Sequence, residues 1–548
     1  MTYMTHKSTG LGGLLLTAAL FAPGHLWAAP AVPAPGESIP EAPAKEESPL
    51  SSDLESESPQ GGEERFTLSA IRVEHEGLPL SDEKIKSITD GIIGREVTIG
   101  ELHEELSALT RYAREKGYPA ATAYIPPQTA VEGSLVVRIA PGRFGNITVE
   151  NDSGLKDSVA EGILAGLHAG DIIKSRTLET ALQNLRELSG IEVYGVLSPG
   201  REEGTSDLTV KVAKGKKNSL IVYTENYGSR TAGRYRYGLQ GELGNLFGTG
   251  GKLNFGTLIS NANQHGYNIS MEIPTGHSAT KLGIGFSRSD YELGADAQEL
   301  GAQGTTNTYS IFGRTPLWHT AKSSLALTYG YDYRDITDEL KRFDFSWKKH
   351  SHIFHLGMDG LSRGKNFILS YRAGLHTGTL VPDSEAAEEL GRLGDTTGRF
   401  TKGTLDLTAV QGLGRDFDML LKLSGQKAGS NLDSSEHIYL GGAHGVRAYP
   451  QGEASGDEGL LGTLELRYHT PVKGLTLSAY FDAGHVEITK SGGDGNMTLK
   501  GWGLGLSYTR PGDWFARFDY ARRIGGDELM SRDAASRQRM WFMAGKMF

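Results

Sequence analysis

The 548-residue chain contains no cysteine. That absence excludes disulfide scaffolds, thiolate zinc sites, iron–sulfur clusters and cysteine nucleophiles together. Long apolar runs are nearly missing as well, the one candidate being Leu11 to Ala22. A membrane helix needs about 20 apolar residues, so a helical membrane protein is excluded. A β-barrel membrane protein is not, because its alternating strands average out near neutral, and the mean hydropathy is −0.34. A surplus of positive charge is also lacking. Lys and Arg total 56 against 66 Asp and Glu, which argues against a dedicated nucleic-acid binder. Glycine, by contrast, is abundant: the chain has 74, roughly twice the usual share. With no collagen period, this excess asks for many turns and close backbone approaches.

Lys7 precedes the apolar run, and His25-Leu26-Trp27-Ala28-Ala29 follows it. A basic start, a short apolar stretch and small residues at its end describe a secretory signal peptide over 1–28, cleaved after Ala28. A short membrane anchor is the alternative, and the run is too short to span. The next stretch, 29–64, holds seven prolines and nine acidic residues, with Lys45 its only base. It cannot bury apolar surface and is expected to be a disordered linker.

The texture changes at Arg65. Phe66 to Val73 reads as a strand, and Ser81 caps a helix over Asp82 to Ile93. A second helix covers Ile99 to Lys116, with Leu102, Leu106, Leu109 and Tyr112 on one face. Gly117 ends it. Ala121 to Ile125 and Ser134 to Ile139 are strands, and Pro141-Gly142 closes the unit. The same β-α-α-β-β order recurs: strand Phe144 to Glu150, helices Val159 to Leu167 and Thr177 to Leu188, strands Ile191 to Leu197 and Asp207 to Val212. Two such units, 65–141 and 142–216, form an internal repeat. Each is too small for an enzyme core, and each leaves a strand edge to which an incoming chain can add. The edge formed by Ile191, Val193, Val196 and Leu197 is the expected partner-binding surface.

From 217 to 548 no convincing amphipathic helix occurs. About ten residues at a time, alternating segments are separated by Gly, Asn, Asp and Ser clusters. Sixteen such segments can be counted, an even number that suits an antiparallel transmembrane barrel. In Leu475 to Asp482, Leu475, Leu477, Ala479 and Phe481 would face lipid, while Thr476, Ser478, Tyr480 and Asp482 would face the lumen. A soluble β-sandwich or propeller is the alternative, disfavoured by the leader, the strand count and the terminal Phe548.

Catalytic constellations are lacking. Gly248-Thr249-Gly250-Gly251-Lys252 runs into Leu253 and reads as a hairpin turn rather than a phosphate loop. His103-Glu104-Glu105 has no second His at zinc-helix spacing, and no G-x-S-x-G elbow exists. His350, His352 and His355 are the best metal candidates, but His355 would point away from the other two, and no acidic ligand is expected beside them. No catalytic residue, metal or cofactor is expected. The distinctive feature is the long connection at about 425–458, centred on Leu440 to Pro450. Its Arg447 wants a carboxylate if buried, and lumen-facing Asp482 is the candidate. The loop is therefore expected to fold into the lumen; a solvated outer loop is the alternative.

Val446-Arg447-Ala448-Tyr449 resembles the V-R-G-Y/F motif in the sixth extracellular loop of the superfamily that joins POTRA domains to an outer-membrane barrel. Tyr480, Asp482 and Gly484, within Tyr480-Phe481-Asp482-Ala483-Gly484, resemble its F-x-D-x-G barrel-wall motif. The two small units resemble POTRA domains. The stretch from Gly117-Tyr118 through Ile125-Pro126-Pro127-Gln128 to Gly133 to Arg138 is similar to the first POTRA of TpsB transporters. Glu225 to Arg230 and Gly233 to Arg236 are similar to their first barrel hairpin. Ala448 stands where the family usually has Gly, and Tyr480 where it usually has Phe. Some members begin with a plug helix, which the proline and acid of 30–64 disfavour here; a short helix on Leu50 to Glu57 is the alternative. Two POTRA units favour TpsB over an assembly or insertion factor of the same superfamily, which is the alternative function. The resemblance implies a non-enzymatic transporter in the outer membrane of a Gram-negative bacterium, with its POTRA domains in the periplasm. It also implies a TpsA-type exoprotein (adhesin, haemolysin or toxin) as partner, recognised unfolded and moved through the pore without nucleotide. Outer-membrane lipid, periplasmic chaperones and the barrel-assembly machinery are the further contacts expected of a monomer.

Overall fold

A computed structural model describes residues 50–52, 65–128, 133–275, 279–491, 495–525 and 531–548. The leader and all of the 29–64 stretch except 50–52 lie outside them. Those three residues form a strand, β1 (Leu50–Ser52), where a structureless linker was expected.

The first unit holds β2 (Arg65–Thr67), β3 (Ala70–Glu74), α1 (Asp82–Thr89), β4 (Glu96–Thr98), α2 (Ile99–Glu115), β5 (Thr122–Tyr124) and β6 (Ser134–Ala140). The segment read as one strand over 66–73 is two. Leu68, fully buried between them, turns inward, and β2 leaves the β3-β6-β5 sheet to pair with β4. Thr98 and Glu101 close a capping box at the start of α2, satisfying two orphan N–H groups. Ser81 accepts from the Lys84 amide to cap α1. The second unit holds β7 (Arg143–Asn151), α3 (Asp157–Leu164), α4 (Ser175–Arg186), β8 (Ile191–Pro199) and β9 (Thr205–Lys214). Its sheet order is β1-β8-β9-β7. Leu178, Leu182 and Leu185 of α4 seal a core against Val193, Leu197, Leu208 and Val210.

Sixteen antiparallel strands then close into a barrel. They are β10 (Asn218–Glu225), β11 (Arg236–Leu246), β12 (Gly251–Ser260), β13 (Gln264–Pro274), β14 (Lys281–Glu292), β15 (Ala302–His319), β16 (Ser323–Leu340) and β17 (Phe345–Arg363). The circuit continues through β18 (Phe367–Pro382), β19 (Gly398–Gly412) and β20 (Phe417–Ala428). Two short strands, β21 (Ile438–Tyr439) and β22 (Ser455–Gly456), lie in the long loop that follows. β23 (Glu458–His469), β24 (Leu475–Glu487), β25 (Asn496–Thr509), β26 (Trp514–Arg523) and β27 (Gln538–Met547) complete it. β27 pairs with β10, Ile221 opposite Met547, so no edge is left open. One further helix, α5 (Glu385–Gly394), caps the β18–β19 connection. Large apolar side chains such as Ile284, Ile311, Leu356, Leu375 and Leu504 stand exposed around the outside. A soluble protein would not leave that band bare; hydrocarbon covers it. On β24, Leu477 and Phe481 face out, while Tyr480 and Asp482 are buried inside.

The second unit is docked on the near rim of the barrel. Glu187, just after α4, lies 3.1 Å from His319, 3.4 Å from Arg314 and 3.5 Å from Lys281. The Ala321 amide donates to Glu179, the His319 amide to Thr180, and the Ser189 hydroxyl to Glu242. Arg176 lies over the Trp318 ring.

Candidate functional site

The connection from β20 to β23 is folded into the barrel from its far end. It is built to turn sharply. A Cβ at Gly445 would meet the Leu440 carbonyl at 1.9 Å, and one at Gly441 the Pro450 carbonyl at 2.5 Å. Gly442 has φ +126, which glycine adopts without strain. The Val446 amide donates back to the Leu440 carbonyl at 2.7 Å and the Tyr449 amide to the Val446 carbonyl at 3.1 Å, closing the tip. Leu440, Val446, Ala448 and Tyr449 form an apolar cluster with Tyr480, Val486, Leu499 and Ala521 of the wall. Two short apolar residues beside an Arg are thus the signature of a loop that packs.

Arg447 sits at the tip, 5% exposed. Its Nε donates to Asp482 Oδ2 at 2.9 Å and its Nη2 to Asp482 Oδ1 at 2.8 Å, a bidentate pair. Its own backbone amide reaches the same carboxylate at 3.1 Å. Nη1 bridges onward to Glu465 at 3.1 Å and Asp519 at 3.2 Å. The guanidinium lies over the Tyr480 ring, 3.1 Å from its centroid, so the aromatic at 480 contributes its face. Glu465 is on β23, Asp482 on β24 and Asp519 on β26, so one side chain ties three wall strands. Arg517 completes the network, with Nε 2.7 Å from Asp519 and Nη2 3.2 Å from Glu465. Trp541 of β27 donates to the Arg447 carbonyl at 2.7 Å. Desolvated charges of this kind are tolerated only when fully paired.

The wall makes room through glycine. A Cβ at Gly501 would meet the Ala448 methyl at 2.6 Å, and one at Gly484 would meet Leu440 at 2.8 Å. Ala448 does not adopt a positive φ. Its backbone therefore does not need the glycine usual in the motif, and its methyl fills the space left by Gly501.

The structure thus brings Val446, Arg447, Ala448, Tyr449, Tyr480, Asp482 and Gly484 into one cluster. Glu465, Asp519, Arg517 and Trp541 were not singled out from sequence. Inward-facing acids on neighbouring alternating strands were the available signal for the first two. A second anchorage was also missed: Glu436 near the loop's start lies 2.9 Å from Lys402 of β19 and also pairs with Arg334 of β16. At its end, Asp457 accepts from the amides of Leu432 and Lys490.

Ile191, Val193, Val196 and Leu197 lie together on β8, but Ile191, Val193 and Leu197 point into the core, at 7%, 1% and 0% exposure. What this edge presents is backbone, and β1 already covers part of it, Leu50 opposite Gly195 and Ser52 opposite Leu197. Of the three histidines, His350 and His352 share the outward face, their rings 5.3 Å apart, while His355 points to the lumen. An acid does adjoin them in space: Asp383 lies 2.7 Å from His350, brought there by strand pairing that sequence spacing does not reveal.

Comparison with known proteins places these features. The model of the haemolysin secretion/activation protein family (ShlB/FhaC/HecB) matches residues 204–508, and that of the ShlB-type POTRA domain matches 66–142. The heme/hemopexin transporter protein HuxB of Haemophilus influenzae (strain 86-028NP) is 25% identical over 502 residues, covering 88% of this chain and 87% of its own. The outer membrane transporter CdiB of Dickeya dadantii (strain 3937) is 22% identical over 472 residues, covering 82% and 81%. The solved structure of CdiB from Escherichia coli superposes with a TM-score of 0.70 at 20% identity, over 90% of this chain and 93% of that one, a likeness of fold.

Proposed function

The chain belongs to the haemolysin secretion/activation family of outer-membrane transporters, and from that premise we propose that it exports a TpsA-type protein by two-partner secretion. The partner arrives unfolded, is held as an extended segment on the second POTRA sheet, and passes through the barrel lumen to the cell surface. The observation that carries this reading is the serial arrangement: a strand-accepting unit docked by Glu187 and Thr180 onto the rim of a barrel, with a salt-bridged loop folded into the lumen. A strand edge binds many sequences through backbone hydrogen bonds, which suits an unfolded client. The Arg447 network holds the loop in place rather than performing chemistry. With no enzymatic step assigned, the bias comes from folding outside: extended chain that becomes packed β-structure does not return. The reading extends to a monomer seated in outer-membrane lipid, delivered there by periplasmic chaperones and the barrel-assembly machinery.

The relatives are named for different cargoes, heme/hemopexin in one case and hemolysin in another, so the partner is to be found directly. Culture supernatant and cell surface are compared by proteomics with and without the transporter. Loss of one large exported protein on deletion is the expected result. A general loss of outer-membrane proteins would instead make it an assembly factor.

A further inference from the structure

The N-terminal stretch contributes a strand to the second unit, from which the whole first unit separates it in sequence. β1 is three residues long and runs parallel to the nine-residue β8. Leu50 lies opposite Gly195 and packs against the core of the second unit. Gly195 leaves no side chain there, since its Cβ would meet Leu182 at 2.6 Å. Ser51 pairs with Val196, the one residue of this edge's expected partner-binding set that faces away from the helices.

β1 is poorly made to be a permanent strand. Two of its three residues are serine. Pro49 directly before it has no N–H to donate, and Asp53, Glu55 and Glu57 follow. Proline and acid limit how far a strand can lengthen. An extended client covering all nine residues of β8 would form more ladder hydrogen bonds than the three-residue occupant. Bare strand edges also capture wrong chains, and a weak occupant blunts that hazard.

We infer that β1 is a resident placeholder on the partner-binding edge, and that the exported chain displaces it, binding parallel to β8 with an aliphatic side chain in the Leu50 position. This rests on the export reading above. Self-occupancy lowers apparent affinity by the fraction of time the edge is free, so only a client with a long, matching strand holds on.

The cysteine-free chain allows a direct test. Ser51→Cys with Val196→Cys supplies the only two thiols, and oxidation of the full-length protein in outer membranes should join them. A failure to cross-link would overturn the placeholder. A fluorescent peptide carrying residues 46–56 is then titrated onto full-length protein in detergent. It should bind Leu50→Asp and Ser51→Pro variants at least ~10-fold more tightly than wild type, and the oxidised double-cysteine protein not at all until reduced. Equal affinity for wild type and both variants would also overturn it. Neither arm needs an exported protein, so both stand apart from the export reading. In cells, the double-cysteine strain should lose the protein that deletion of the transporter removes from the medium, while Ser51→Cys alone keeps it. Full export from the cross-linked transporter would overturn displacement and leave the export reading intact.

Discussion

At the scale of single residues, Arg447 is the charge that ties the loop to the barrel wall, pairing with Asp482, Glu465 and Asp519. Removing it leaves Asp482 buried without its bidentate partner, while Glu465 and Asp519 keep Arg517. Breaking a buried pair from one side costs about 3–5 kcal/mol. The wall acids belong to a closed hydrogen-bonded barrel, so the strain is relieved by the loop leaving. Arg447→Ala should therefore insert normally and remain heat-modifiable, yet export at least ~10-fold less, since that energy exceeds 1.4 kcal/mol. Arg447→Lys should not rescue it, because an ammonium cannot make the bidentate pair. Unchanged export from Arg447→Ala and Asp482→Ala together would end this account. The glycine cradle gives a compensating test. Gly501→Ala crowds the Ala448 methyl and should reduce export, and adding Ala448→Gly should restore it. Equal defects in single and double mutants would show the contact to be unimportant.

At the scale of elements, the docking of α4 is held by charge. Burial would raise the Glu187 carboxyl, but Lys281, His319 and Arg314 hold it well below the usual carboxylate range. A carboxylate depressed in the folded state contributes fully above its unfolded value of ~4.3, and that contribution is lost as pH falls through the depressed one. Ionisation of Glu187 should thus add no pH dependence to the dock between about pH 5 and 7, and its contribution should weaken only below about pH 4.3. Hydrogen exchange of α4 and the β15–β16 turn would show this. Glu187→Gln should remove the acid dependence and weaken docking by about 2 kcal/mol. Sequence shows some elements and hides others for physical reasons. All sixteen barrel strands are legible because one face meets lipid and the other water, giving period two. The far ends of β15 to β18 are not, because segments such as Thr337-Asp338-Glu339 are polar on both faces. β1 is invisible to pattern reading: three residues between proline and acids carry no period, and only the waiting edge of β8 makes them a strand. Arg447 and Asp482 announce themselves as a charge that needs a partner, whereas the Glu436 anchorage depends on which wall the loop crosses.

At the scale of the whole molecule, the two halves are held by different forces and can be separated. The barrel closes its own hydrogen-bond circuit through β10 and β27, and its lipid-facing band does not involve the POTRA units. The rim charges that meet the second unit have other partners, Arg314 with Asp359 at 3.2 Å and Lys281 with Glu272 at 4.0 Å. Deleting 66–213 therefore leaves few uncompensated charges on the barrel. The loop also keeps both anchorages, since the ion-pair partners of Glu436 and Arg447 among the described residues lie on barrel strands. The truncated protein should insert, resist extraction and retain its channel in planar bilayers, while export of the partner is lost. Normal export would mean that the barrel selects its own client, making the POTRA units dispensable. A lost channel would mean that the second unit holds the rim in shape. The expected separation of channel from export follows from the proposed division of labour, in which the backbone edge of the second unit recognises the client and the salt-bridged loop governs passage.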